Sequence, residues 1–61
     1  MYLKYIGYSN HEFLNKTYSL RTWEDQETGE VLYEYQDRIL SVGKLNQLIA
    51  LTIAIKQWSK F

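Results

Sequence analysis

Alternating apolar and polar positions predict strands over the first half of the chain. Residues 2–8 are rich in aromatic and β-branched side chains, which is typical of a strand. Residues 17–24 alternate more regularly, so that the side chains at even positions share one predicted face. These are Tyr18, Leu20 and Thr22, with Ser19, Arg21 and Trp23 on the opposite face. Between the two predicted strands, residues 9–12 are polar and favour a turn.

A second turn is predicted at residues 25–29, where Gly29 can adopt a positive φ without steric cost. It leads into another alternating segment, residues 30–37. Val31, Tyr33 and Tyr35 fall on one face of this segment, and Tyr33 and Tyr35 are expected to be core residues. Residues 17–24 and 30–37 therefore predict a β-hairpin.

The last third of the chain gives two readings. Ser41 can cap a helix, and apolar side chains then follow at helical spacing, namely Val42, Leu45, Leu48 and Ile49. From position 51 to 55 the apolar residues alternate with polar or small ones, which is a strand period. The pattern favours a short helix over 42–49 and a strand over 50–58, with a single helix over 42–58 as the alternative. The alternating side chains are expected to be buried: Leu51, Ile53 and Ile55.

Together these elements predict one small α+β domain over residues 1–61, with a small antiparallel β-sheet (β-hairpin), one short helix and a C-terminal strand. A chain of 61 residues buries a small core, so a domain of this size usually gains a disulfide, a metal or a partner subunit. The sequence has no cysteine and one histidine, His11, which excludes disulfides and the usual thiolate or all-histidine zinc sites. Self-association as a homodimer is therefore expected, without cofactors.

Charge is distributed unevenly, although seven basic and seven acidic residues give a formal net charge of zero. Six acidic residues and no basic residue occur between positions 24 and 37, and the two flanking segments are mildly basic. Either this is a solvated hairpin tip or it is an acidic ridge that meets a basic partner surface. Direct binding of nucleic acid is disfavoured, because no cluster of arginine or lysine is available to neutralise several phosphates.

Catalysis is not expected. Histidine is the usual general base in enzymes, and the neighbour of the one histidine here, Glu12 beside His11, points the opposite way on an extended chain. No phosphate-binding glycine loop or calcium loop is present in the sequence. By contrast, Glu30 and Glu34 would share a strand face with roughly 13 Å between them, at about 3.3 Å per residue. Carboxylates spaced along a rigid edge can imitate a run of DNA phosphates.

The order of strand, acidic turn with glycine, strand bearing Tyr33-Glu34-Tyr35, short helix (residues 41–49) and alternating apolar strand (residues 51–55) resembles the small uracil-DNA glycosylase inhibitors of Bacillus phages. The resemblance covers roughly residues 17–57. It implies a homodimer that occupies the DNA-binding groove of a host glycosylase, with acidic side chains in the places of phosphates. It also implies an apolar pocket for the side chain that the enzyme inserts into DNA. Glu34 matches one of the acidic residues of the family.

On this interpretation the chain is not an enzyme but a protein inhibitor, and its partner-binding residues belong to the acidic segment. They are Glu24, Asp25, Glu27, Glu30, Glu34 and Tyr35. The alternative is a small phage-type regulator, with an SH3-like or other β-rich domain, that binds a different host or defence protein. A nucleic-acid-binding β domain with stacking aromatics is a third reading, which the acidic surroundings of the tyrosines disfavour. No signal or membrane-spanning segment is recognised, so a cytoplasmic location is expected.

Overall fold

The computed structural model describes residues 2–58 and shows a four-stranded sheet followed by one helix. The elements are β1 (Leu3–Phe13), β2 (Lys16–Asp25), β3 (Val31–Tyr35), β4 (Arg38–Leu40) and α1 (Val42–Trp58). Each strand pairs antiparallel with the next one along the chain, in the spatial order β1-β2-β3-β4. The predicted α+β class and the hairpin of β2 and β3 are confirmed.

Two tight turns shape this meander. Leu14 and Asn15 connect β1 to β2 with φ values of 51° and 62°, and Gln36 and Asp37 connect β3 to β4 with φ values of 51° and 63°. Two consecutive positive φ angles in a two-residue hairpin loop are the signature of a type I′ turn, whose twist matches that of the strands. The second turn ends β3 at Tyr35, so the predicted strand 30–37 is too long at both ends, and the short β4 was not predicted.

β1 is longer than the sequence indicates. The predicted turn at residues 9–12 is wrong, because this polar segment lies inside β1 and pairs with residues 17–20 of β2. Cross-strand hydrogen bonding to β2 outweighs the local turn preference of Ser9 and Asn10. A bulge interrupts the register between Tyr5 and Gly7, and the φ of 102° at Gly7 is a conformation that L side chains rarely adopt.

The core lies between α1 and one face of the sheet, which we call the helix side. Leu45 and Ile49 of α1 are fully buried and pack with Leu20 of β2. Six partly buried residues surround them: Phe13, Tyr18, Tyr33, Tyr35, Leu40 and Ile53. The predicted core positions of Tyr33 and Tyr35 are therefore confirmed.

The predicted strand over 50–58 is wrong, because α1 continues to Trp58 as a helix of 17 residues. The spacing of four between Leu45, Ile49 and Ile53 places all three on the same side of the helix, where they meet the sheet. Leu51 and Ile55 were expected to be buried, but they are 57% and 59% exposed on another side of α1. The apparent strand period arises because α1 carries apolar residues on both its buried and its exposed sides.

The molecule is elongated rather than spherical, with extents of 45 × 19 × 16 Å and a radius of gyration of 13.0 Å. A compact chain of this length has a radius of gyration of about 10–11 Å. Its accessible surface of 4816 Å² also exceeds the roughly 4200 Å² typical of a folded monomer of this mass. The cause is that α1 packs over only part of the sheet, since no residue of Leu3–Gly7 belongs to the core cluster.

Candidate functional site

The face of the sheet opposite α1 carries no covering element among residues 2–58, and we call it the open face. Directly paired residues of an antiparallel sheet point to the same side. The pairings Tyr5–Trp23, Tyr8–Arg21 and Arg21–Glu34 therefore place these side chains together. The open face also carries Leu32 and Ile39 beside these residues, and towards its ends the pairs Leu3–Asp25, Asn10–Ser19 and Glu12–Thr17.

At its centre, four of these side chains form a connected group, the Arg21 cluster: Tyr5, Arg21, Trp23 and Glu34. The Arg21 guanidinium lies over the Tyr5 ring, 4.6 Å from its centroid, and its Nε is 3.5 Å from Glu34 Oε1. Trp23 Nε1 donates a hydrogen bond of 3.1 Å to the same carboxylate oxygen. The Tyr5 and Trp23 rings meet edge to face at 5.3 Å. Each member thus holds its neighbours in place.

Local sequence explains why these residues meet. The bulge at Gly7 changes the alternation of β1, so that both Tyr5 and Tyr8 are paired with open-face residues of β2 although they are three positions apart. On β2 and β3, regular alternation places Arg21 and Trp23 beside Glu34. The cluster therefore depends on pairing across three strands, and Gly7 sets its register.

The arrangement is suited to contact with another protein. Tryptophan, tyrosine and arginine are the residues most enriched at the energetic centres of protein interfaces. In the Arg21 cluster these side chains already contact one another, which restricts them and reduces the conformational entropy lost on binding. Tyr8 and Ile39 border the cluster and are 64% and 41% exposed. Arg21 and Glu34 balance each other in charge, so the centre of the open face offers no attraction to a polyanion.

The predicted acidic site is divided by the structure. Four of its residues lie at the end of β2 and in the loop that connects it to β3, a segment that we call the acidic loop: Glu24, Asp25, Glu27 and Glu30. Asp25 is only 8% exposed, and its carboxylate accepts a 2.8 Å hydrogen bond from the Glu27 backbone N–H. The loop is closed by hydrogen bonds from Gly29 N–H to Asp25 O and from Asp25 N–H to Glu30 O. Asp25 therefore shapes the loop, while Glu27 and Glu30 are exposed.

The other two predicted site residues lie elsewhere. Glu34 belongs to the Arg21 cluster, and its side chain is 28% exposed. Tyr35 points to the helix side, where its ring meets Tyr18 edge to face at 6.1 Å. Glu24 accepts a 2.9 Å hydrogen bond from Gln26 and pairs in register with Lys4. The six residues do not form one continuous edge.

His11 has a structural contact rather than a place in a pocket. Its Nε2 donates a 2.7 Å hydrogen bond to Asn46 Oδ1 and so connects β1 with α1. Its ring lies 5.5 Å from that of Tyr33. Within residues 2–58, no group of three His, Cys, Asp or Glu side chains is arranged to hold a metal ion. Across the same residues, no helix has the length and apolar character that crossing a membrane requires.

Sequence reasoning missed the contributions of Tyr5 and Tyr8 to the candidate site. The available signal was a glycine inside an aromatic strand segment, which often marks a bulge. Reading Gly7 in this way would have placed both tyrosines on one face.

No protein-family model matches the chain, and no curated protein or solved structure is significantly similar to it.

Proposed function

We propose that the protein is a small binding module that acts by docking the open face of its sheet onto another protein. The observation that carries this proposal is the Arg21 cluster, an ordered group of aromatic and charged side chains on a face that α1 does not cover. Tyr5 and Tyr8 on this face are 39% and 64% exposed, and exposed apolar patches commonly mark interaction sites.

The test compares proteins captured by the parent chain and by two matched variants. Tyr8→Ala removes a ring that is 64% exposed on the open face, whereas Tyr2→Ala removes one that is 72% exposed just before β1. We expect Tyr8→Ala to lose a specific partner that Tyr2→Ala retains, with both variants folded by circular dichroism. Identical capture by the parent and Tyr8→Ala would refute the proposal.

A second candidate is inhibition of a uracil-DNA glycosylase by DNA mimicry, as the resemblance implies. The acidic loop favours it, since Glu27 and Glu30 are exposed and Glu24, Glu27 and Glu30 form no ion pair within residues 2–58. Glu34 is a weaker phosphate mimic, because its carboxylate already has Arg21 and Trp23 as partners. The proposal therefore rests on the loop and not on the strand that follows it.

A uracil-excision assay tests this candidate directly. Bacterial uracil-DNA glycosylase is given a uracil-containing oligonucleotide and increasing amounts of the protein. DNA mimicry predicts loss of excision near stoichiometric ratios, and recovery when Glu27 and Glu30 are both changed to lysine. Full excision at large excess of the parent protein would eliminate the second candidate and leave the open-face proposal unaffected.

A further inference from the structure

A second surface lies on α1, away from both the open face and the core. Every third or fourth residue along one side of the helix belongs to it: Lys44, Leu48, Leu51, Ile55 and Trp58. We call these residues the helix seam. Leu51, Ile55 and Trp58 are 57%, 59% and 82% exposed. Alternate spacings of four and three residues are the pattern by which one helix packs against another.

Next to the seam, a groove of about 320 Å³ separates α1 from β4. Its lining is apolar at Leu40, Leu48 and Leu51, and it carries positive charge at Arg38 and Lys44. Neither cation forms an ion pair within residues 2–58. The groove and the seam share Lys44, Leu48 and Leu51, so together they form one continuous surface.

Charge and shape indicate what this surface receives. From Val42 to Trp58 the helix contains lysine but no acidic residue. A second copy of the chain would therefore bring further positive charge to Lys44 and no carboxylate from its own α1. A lipid surface would contact the exposed residues of the helix seam but would leave the concave groove unfilled. A partner helix would fill the groove with its apolar side chains, and its flanking carboxylates would pair with the two cations.

We propose that the helix seam and the adjoining groove bind an acidic amphipathic helix of another protein. Its apolar side chains pack against Leu51, Ile55 and Trp58, and its carboxylates approach Arg38 and Lys44. This surface lies on a different side of the molecule from the open face, so the two binding proposals are independent of each other.

The probe is a synthetic peptide of three heptads with leucine at the packing positions and glutamate at the flanking positions. A control peptide carries lysine in place of each glutamate. Binding is followed by fluorescence anisotropy of labelled peptide added to the full chain at low salt. We expect the acidic peptide to bind at least about tenfold more tightly than the basic one.

Three variants locate the contact. Leu51→Asn is expected to weaken binding of the acidic peptide about tenfold or more, whereas Leu14→Asn, at a residue that is 55% exposed in the β1–β2 turn, leaves it unchanged. Lys44→Glu is expected to reverse the preference between the two peptides. Since all three sites are exposed, none of these changes removes a core contact.

Several results would overturn the proposal. One is equal binding of the acidic and basic peptides, and another is undiminished binding by Leu51→Asn. A dimer of the chain alone that Leu51→Asn converts to monomer in sedimentation would show that a second copy covers the seam. Binding to phosphatidylglycerol vesicles that Leu51→Asn abolishes would assign the seam to a membrane surface. Tyr8→Ala is expected to bind the acidic peptide normally, which separates this test from that of the open face.

Discussion

At the scale of the residue, Glu34 has two different contacts through one carboxylate oxygen. It accepts a hydrogen bond from Trp23 Nε1 at 3.1 Å and lies 3.5 Å from Arg21 Nε. Because the Arg21 side chain is 45% exposed, water screens the ion pair and its contribution to stability is small. The hydrogen bond from Trp23 is the more important contact, since its loss leaves a half-buried donor without a partner.

We therefore expect Glu34→Gln to change the free energy of unfolding by less than about 0.5 kcal/mol, because the amide oxygen still accepts from Trp23. Glu34→Ala is expected to lower it by about 1–2 kcal/mol, since the indole N–H loses its acceptor. Urea denaturation followed by circular dichroism measures both. Equal losses in the two variants would show that the ion pair, and not the hydrogen bond, stabilises the cluster.

At the scale of the element, each of the two type I′ turns has at its first central position a residue that is poor for the purpose, Leu14 in one and Gln36 in the other. Both central positions of such a turn need a positive φ, which glycine and asparagine adopt most readily. Here the positions are occupied by Leu14 and Asn15 in one turn and by Gln36 and Asp37 in the other. Strand pairing on both sides of each turn holds Leu14 and Gln36 in a conformation that their side chains do not favour.

Asn15→Gly and Asp37→Gly are each expected to raise the free energy of unfolding by about 0.5–1 kcal/mol, because glycine relieves the strain at positive φ. Gly29→Ala provides the opposite control, since Gly29 has a φ of 77° and no atom near the added Cβ. Its destabilisation would come from backbone strain alone. Urea midpoints of the three variants give the comparison, and a loss of stability in both turn variants would contradict the turn assignment.

The continuous helix α1 gives a second prediction at this scale. Ile53 packs against the core cluster, whereas Ile55 is 59% exposed. Ile53→Ala is expected to cost about 1–3 kcal/mol of stability, and Ile55→Ala less than about 0.5 kcal/mol. A strand over 50–58 would place both side chains on one face and give similar losses. Thermal or urea unfolding of the two variants distinguishes the two structures.

At the scale of the whole molecule, stability and charge are both unevenly distributed. The core contacts of α1 involve one part of the sheet, while β1 and β2 extend beyond it to the acidic loop. Since β2 runs from Lys16 to Asp25, the acidic loop lies at the opposite end of the sheet from Lys16. Lys16 and Lys56 line the same cavity, so this other end is basic.

Native-state hydrogen exchange is expected to show stronger amide protection in the part of the sheet that α1 covers than in the part that it leaves uncovered. Amides of β2 near Leu20, beneath α1, are expected to exchange only through global unfolding. Amides near Trp23 and Glu24, which lie beyond the core cluster, are expected to exchange through local opening at lower free energy. Uniform protection along β2 would show that the uncovered end is as stable as the covered one.

The sequence by itself determined those features that depend on local chemistry and on the period of alternation. Alternation placed Leu20 and Trp23 on opposite faces of β2 and predicted Tyr33 in the core, and Gly29 identified the turn between β2 and β3. Ser41 marked the start of α1 by its position just before Val42. The predicted homodimer and the predicted partner-binding roles stay predictions.

Tertiary structure decided what local preference left open. The polar residues 9–12 became part of a strand because β2 supplies hydrogen-bonding partners along their whole length. α1 continues through Leu51 and Ile55 because packing of Ile49 and Ile53 on the sheet requires helical spacing. The Arg21 cluster was hidden for a similar reason: it joins three strands, and no sequence period reports which strands are neighbours. Burial and cross-strand pairing act between segments far apart in the chain, so they are visible only in the folded structure.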